Sequence, residues 1–203
     1  MSKDIDRRVT EGTYSKDREK FFKPPSAEVK LPKEHVLRVG FKKTHEDAII
    51  PTKAHAEDSG FDLYSIEDVV IHPGETIVVG TGIAVNLPEG HEAQIRPRSG
   101  ITAKTKLRVQ LGTIDNGYTG ELGIIVDNVA PPGMGVDFYC QMNGEHVSPI
   151  EMGEFGEYYI SKGDRIAQLA VQKIPYTDAI EVTSLKGQSR GDSGFGSSGI
   201  SKD

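Results

Sequence analysis

The sequence predicts an all-β barrel or sandwich, and three observations carry that prediction. Short runs rich in Val, Ile, Phe and Tyr recur along the chain, turn-forming segments such as HPGE, PEG, DNG and MNGE separate them, and a helical period is almost absent. In chain order the runs are HVLRVGF (35–41), FDLYS (61–65), DVVIHP (68–73), ETIVVGTGIAVNLP (75–88) and EAQIRP (92–97). They continue with LRVQLGTID (107–115), ELGIIVDNV (121–129), VDFYCQM (136–142), RIAQLAVQKI (165–174) and IEVTSL (180–185). One short helix is expected after Arg98, where SGITAKTK (99–106) opens on a Ser and carries Lys toward its end.

Three segments follow from composition. Residues 1–34 alternate charges without an apolar period and are broken by KPPS at 23–26, so they read as an extension, with a helix over 3–21 as the alternative. Residues 35–185 hold the β runs, and 186–203 form a tail rich in Gly and Ser. A chain of 203 residues accommodates one domain of roughly 150 residues with such extensions.

Composition also excludes several functions. Cys140 is the single cysteine, which rules out an internal disulfide or a zinc site made of several thiolates, and the six His include no pair at zinc-protease spacing. No apolar run reaches the 18 residues of a membrane span and the N-terminus lacks an apolar signal, so a cytoplasmic protein with no membrane contact is expected. The formal charge of −6 argues against direct nucleic-acid binding. A polyanionic ligand must then be held by a few local Arg residues, backbone amides or a metal ion.

Three stretches carry candidate chemistry. At PRSG (97–100), a helix start leaves backbone N–H groups unpaired, so Ser99 and Gly100 beside Arg98 suit a phosphate; an ordinary surface turn is the alternative. In GTIDNGYTG (112–120), Asn-Gly between two β runs signals a two-residue hairpin turn with positive φ at both positions. Asp115 and Tyr118 would face each other across it and line one small pocket, or else decorate a surface hairpin. The tail segment GFGSSG (194–199) fits the letters of a dinucleotide fingerprint but leaves no room for the helix that motif requires. Its local physics remains, since closely spaced glycines let amides approach phosphates.

Taken together, DSGFDLYS (58–65), PRSG (97–100), GTIDNGYTG (112–120), KGDRIAQL (162–169) and RGDSGFGSSG (190–199) resemble, in order, the five motifs of the homotrimeric dUTPases. The resemblance implies a jelly-roll β-barrel with little helix, assembled as a trimer whose active sites draw on three subunits. It also implies hydrolysis of dUTP to dUMP and pyrophosphate, limiting uracil in DNA and supplying dUMP for dTTP synthesis. Asp115 would orient and activate the water attacking the α-phosphorus, and Tyr118 would pack on the deoxyribose. The backbone of Gly112, Thr113 and Ile114 would read the uracil edge. Arg98, Ser99, Gly100 and Gln168 would contact the phosphates. In the C-terminal arm, Phe195 would stack on uracil while Arg190, Gly196, Ser197 and Ser198 close over the γ-phosphate. The implied cofactor is Mg2+ on the triphosphate, met through water by Asp62; the alternative for Asp62, and for Asp164, is a structural carboxylate pairing with an Arg.

The sequence departs from the family pattern at several points. Gly117 and Thr119 stand where many members have Asp and Arg, and Ser193 and Ser198 where Gly and Thr are frequent. A larger departure is an apparent insertion over about 130–160, whose FYCQMNGEHV reads as a hairpin and offers a surface for a protein partner or for trimer contacts. Such additions suit a viral or bacteriophage source, with host cytoplasm as the location. Two rivals remain: a dCTP deaminase, whose catalytic Glu position is held here by Ile125, and a regulatory protein acting through the insertion.

Overall fold

The computed structural model describes residues 36–131, 139–141, 146–147 and 156–184. Twelve strands and one helix make up these residues: β1 (Gly40–Lys43), β2 (Gly60–Tyr64), β3 (Val69–Ile71), β4 (Thr76–Asn86), β5 (His91–Arg96), α1 (Ser99–Lys104), β6 (Leu107–Val109), β7 (Gly112–Ile114), β8 (Glu121–Asn128), β9 (Tyr139–Gln141), β10 (His146–Val147), β11 (Tyr158–Ile160) and β12 (Arg165–Lys173). The all-β class with one short helix is as the sequence predicts. Among the described residues no helix is long and apolar enough to cross a membrane.

The strands form three sheets, ordered β1-β4-β8-β6, β2-β12-β5-β7 and β10-β9-β11-β3. Pairing is antiparallel except between β11 and β9. Alternation sets the faces: in β8, Leu122, Ile124, Val126 and Asn128 are buried while Glu121 and Ile125 are exposed. Leu63, Ile71, Val79, Leu107, Leu122, Ile124, Ile160, Ile166 and Leu169 fill the core between sheets. Each such side chain contributes about 1.5–3 kcal/mol by leaving water.

Among the described residues Asn128 is the one large polar side chain that is fully buried, and its position explains it. Its Nδ2 donates to the Ile71 carbonyl at 2.9 Å and the Gly156 carbonyl at 2.8 Å, while its Oδ1 accepts from Ala130 N–H at 3.0 Å. One amide thereby ties together the two points where the chain leaves and re-enters the β framework around the predicted insertion. The hairpin expected there is present: His146 pairs with Cys140 and Val147 with Tyr139.

Four expectations need correction. The run 107–115 is two strands in different sheets, β6 beside β8 and β7 beside β5. The strand expected at 35–41 starts only at Gly40. Tyr158–Ile160 forms a strand that the sequence reading passed over, because a three-residue run shows no measurable period. Finally, residues 180–184 carry no strand; Tyr176 and Ile180 are 82% and 76% exposed, and the segment has no ladder partner among the described residues. A β-favouring composition cannot form a strand without a neighbour to pair with.

Candidate active site

β7 runs antiparallel to β5, with Gly112 opposite Ile95, Thr113 opposite Gln94 and Ile114 opposite Ala93. Immediately after it the chain turns, and Tyr118 N–H donates to the Asp115 carbonyl at 3.0 Å. The Asn-Gly pair therefore does make a turn, but not the expected hairpin. β8 pairs with β4 and β6 instead of β7, so the turn carries the chain from one sheet to another. Gly117 is not among the glycines with positive φ, which are Gly74, Gly82, Gly90, Gly156 and Gly163. The twist-matched turn is required only when the flanking strands pair with each other.

Beyond the turn, Tyr118 folds back over Gly120 and its Oη donates to the Glu121 carbonyl at 2.9 Å. A Cβ at Gly120 would lie 2.7 Å from Tyr118 Cζ, so only glycine lets the ring lie there. Glu121 fixes the start of β8: its Oε1 accepts from Gly82 N–H and its Oε2 from the Thr44 hydroxyl, both at 2.9 Å. The result is an open cleft of about 190 Å³ lined by Thr113, Ile114, Asp115, Tyr118, Glu121, Leu122 and Gly123. That is smaller than the roughly 300 Å³ at which whole-ligand pockets begin, and suits part of a ligand. Ile125 is 43% exposed and does not line this cleft.

A second cluster forms around Asp62. Its Oδ1 lies 3.2 Å from Arg98 Nε and its Oδ2 accepts from Arg165 at 3.2 Å, so the alternative reading of Asp62 as an Arg-paired carboxylate describes its contacts. The register explains the meeting: Gln168 of β12 sits opposite both Asp62 of β2 and Arg96 of β5. Gln168 Nε2 donates to the Pro97 carbonyl at 3.0 Å and Arg98 donates to the Arg165 carbonyl at 2.9 Å, bracing the segment that starts α1. Burial pushes the Arg98 guanidinium below its ordinary value, with Asp62 opposing that shift. Two guanidinium groups on one carboxylate leave a net positive charge, suited to an anion.

At the helix start Arg98 itself occupies the capping position, with extended backbone and no side-chain cap bond; Ser99 is the first helical residue. Ser99 and Gly100 are exposed, and a side chain at Gly100 would meet nothing within 4 Å. Asp164 caps a local turn by accepting from Ser161 N–H at 2.8 Å.

The two clusters do not meet within one chain. Asp115 continues β7 to the level of Glu92 near the His91 end of β5, whereas Arg98 lies beyond its Arg96 end, a separation of about 20 Å at 3.3 Å per residue. Arg190, Phe195, Gly196, Ser197 and Ser198 lie outside the described residues, as does the extension at 1–34. Sequence reasoning passed over Arg165, although it stands inside KGDRIAQL, and Asn116, whose role depends on a loop distant in sequence.

The sequence profile of the dUTPase family matches residues 46–133 and 155–199. The chain belongs to the dUTPase family. This dUTPase is 45% identical over 152 residues to the deoxyuridine 5'-triphosphate nucleotidohydrolase of Nocardia farcinica, covering 74% of this chain and 78% of that one. Its identity to the Clostridioides difficile enzyme is 42% over 161 residues, covering 78% and 96%. It is similar in structure to the Staphylococcus bacteriophage 80alpha dUTPase with dUPNHPP, at a TM-score of 0.75 and 35% identity over 80% of this chain and 99% of that one. The dUTPase from phage phi11 of S. aureus, described for its species-specific insert, matches at 0.69 and 33% identity over 74% and 99%. The activity is dUTP hydrolysis. The family profile leaves 134–154 unmatched, within the predicted insertion.

Proposed function

We propose that Asp115 orients and deprotonates the water that attacks the α-phosphorus of dUTP, releasing dUMP and pyrophosphate. The observation that supports this is the shared cleft: the Asp115 carboxylate and the Tyr118 ring line it together with Thr113 and Ile114. A carboxylate there accepts the water's proton as the new P–O bond forms, while the ring packs on deoxyribose and leaves no space for a 2′-hydroxyl. β7 is the edge strand of its sheet among the described residues. Outward main-chain groups of Gly112, Thr113 and Ile114 are thus available to read the uracil edge.

The phosphates are bound by Arg98, Ser99, Gly100 and Gln168. Because this cluster and the Asp115 cleft occupy opposite ends of β5, the complete site takes them from different copies of the chain, in keeping with a homotrimer. Arg190, Phe195, Gly196, Ser197 and Ser198 of the arm over 186–203 then cover the nucleotide and exclude water.

Mg2+ fits as an ion carried by the triphosphate. No group of three His, Cys, Asp or Glu side chains that could hold a metal ion occurs among the described residues. A carboxylate oxygen can accept more than one hydrogen bond, so beside its Arg partners Asp62 retains capacity for an ion-bound water. When bound, the ion neutralises phosphate charge. A structure of a related phage phi11 dUTPase is described as coordinating a structural Mg(II) ion. The reaction limits dUTP available for incorporation into DNA and supplies dUMP for dTTP synthesis, in the cytoplasm, or the host cytoplasm if the source is viral.

The test is incubation with Mg2+ and, separately, dUTP, dCTP, UTP and dTTP, resolving nucleotides and pyrophosphate by chromatography. Turnover of dUTP alone, abolished by Asp115→Asn, is expected; an active Asp115→Asn enzyme overturns the assignment of the base.

A second reading concerns the insertion at about 130–160, proposed to bind a protein partner. Phage dUTPases similar to this chain are described as controlling transfer of virulence genes, and one as having a species-specific insert. Deleting 134–154, which keeps Gly156 and β11, should abolish partner capture while dUTP turnover persists; retained capture sinks the idea.

A further inference from the structure

The side chain after the catalytic carboxylate points away from the cleft and into a neighbouring loop. Asn116 Nδ2 donates to the Pro88 carbonyl at 2.7 Å and lies 3.2 Å from the Leu87 carbonyl and 3.3 Å from the His91 carbonyl. An amide nitrogen has two hydrogens, so the short bond uses one and the two longer contacts share the other. The first two acceptors belong to the connection between β4 and β5 and the third is the first residue of β5, 25 to 29 residues earlier in sequence.

That connection is itself fixed. His91 N–H donates to the Pro88 carbonyl at 3.2 Å, closing a turn in which Gly90 has φ of +70°, a conformation other residues rarely adopt. Leu87 is buried, Ile174 N–H donates to the Gly90 carbonyl at 2.8 Å, and the Tyr176 hydroxyl donates to Glu89 Oε1 at 2.8 Å. The acceptors for Asn116 therefore come from a loop braced on both sides.

Among the described residues the catalytic turn has few other anchors: β7 contributes three paired residues, Tyr118 N–H donates to the Asp115 carbonyl and Tyr118 Oη to the Glu121 carbonyl, while Asp115 and Gly117 are exposed. We infer that Asn116 is a positioning residue for hydrolysis, clamping the Asp115–Tyr118 turn to the Leu87–His91 loop so that the Asp115 carboxylate is held in line with the attacked phosphorus. The inference rests on Asp115 being the base. Misplacement of a reacting group by about 1 Å costs up to a hundredfold in rate, so loss of one clamp is expected to appear in kcat.

The experiment compares the full-length enzyme with Asn116→Ala, Asn116→Asp and Asp115→Asn, measuring kcat and KM for dUTP, thermal midpoint, and active sites titrated with dUpNHpp. Asn116→Asp keeps the shape but turns an acceptor toward three carbonyl oxygens. Both Asn116 variants are expected to lose roughly tenfold in kcat per titrated site, with KM within about threefold. A kcat within twofold of the parent enzyme in Asn116→Ala overturns the inference, as does a loss explained wholly by fewer folded sites. If Asp115→Asn stays active, the assignment of the base fails instead, and a deficit in Asn116→Ala would no longer be ascribed to Asp115.

Discussion

The ring of Tyr118 occupies the volume that a side chain at Gly120 would need: an added Cβ would fall 2.7 Å from Cζ and 2.5 Å from Oη. Gly120 thus shapes the cleft without lining it. Gly120→Ala should expel the ring, lower kcat/KM for dUTP by about tenfold or more, and raise relative turnover of UTP, because the ring proposed to exclude a 2′-hydroxyl has moved. Parallel kinetics with the two nucleotides check this; an unchanged ratio would mean that Tyr118 does not set sugar specificity.

Asp62 separates two guanidinium groups with a carboxylate side chain only 14% exposed. Asp62→Ala removes the counter-charge and leaves Arg98 and Arg165 adjacent. Because both Arg side chains are partly solvated, the expected loss is about 1–2 kcal/mol, read by urea unfolding. Arg98→Ala should instead raise the KM for dUTP, with a weaker salt dependence than the parent enzyme.

Asn128 supplies three hydrogen bonds from a fully buried position. Asn128→Ala leaves the Ile71 and Gly156 carbonyls and the Ala130 N–H without this partner, at a cost of about 2–3 kcal/mol. Equilibrium unfolding measures it, and a change below about 0.5 kcal/mol would show that water replaces the amide.

Burial, and then the neighbouring Asp68 carboxylate, push the Tyr159 phenol above its ordinary value of 10.0. The folded protein holds that proton more tightly than the unfolded chain. The resulting stabilisation is complete below about pH 10 and is lost as pH rises through the folded value. Tyr159→Phe should therefore lose less stability than the parent as pH rises above the ordinary phenol value of 10.0. Thermal midpoints across that range decide it, since parallel curves for the two proteins would exclude Tyr159 as the titrating group.

Much of the framework was legible because burial imposes a period of two. The alternation in ELGIIVDN gave β8 its buried and exposed faces, and Cys140 to Val147 read correctly as a hairpin from its Asn-Gly signal. The same signal misled at Asn116-Gly117, where a local pattern says that the chain turns but not which strand the next residues will join. IEVTSL failed as a strand for the related reason that composition does not supply a partner.

By itself, the sequence determined the all-β class, the short helix after Arg98, the absence of an internal disulfide, and membership in a family whose motifs occur in order, since these depend on residue type and spacing along the chain. Only the tertiary structure decided that Asp62 is shared by Arg98 and Arg165, that Tyr118 lies over Gly120, and that Asn116 reaches the Leu87–His91 loop. It also set the Asp115 cleft and the Arg98 cluster at opposite ends of β5. The physical reason is that each of these contacts depends on strand register and on which sheet a turn feeds, and those are fixed when side chains distant in sequence pack together to leave water.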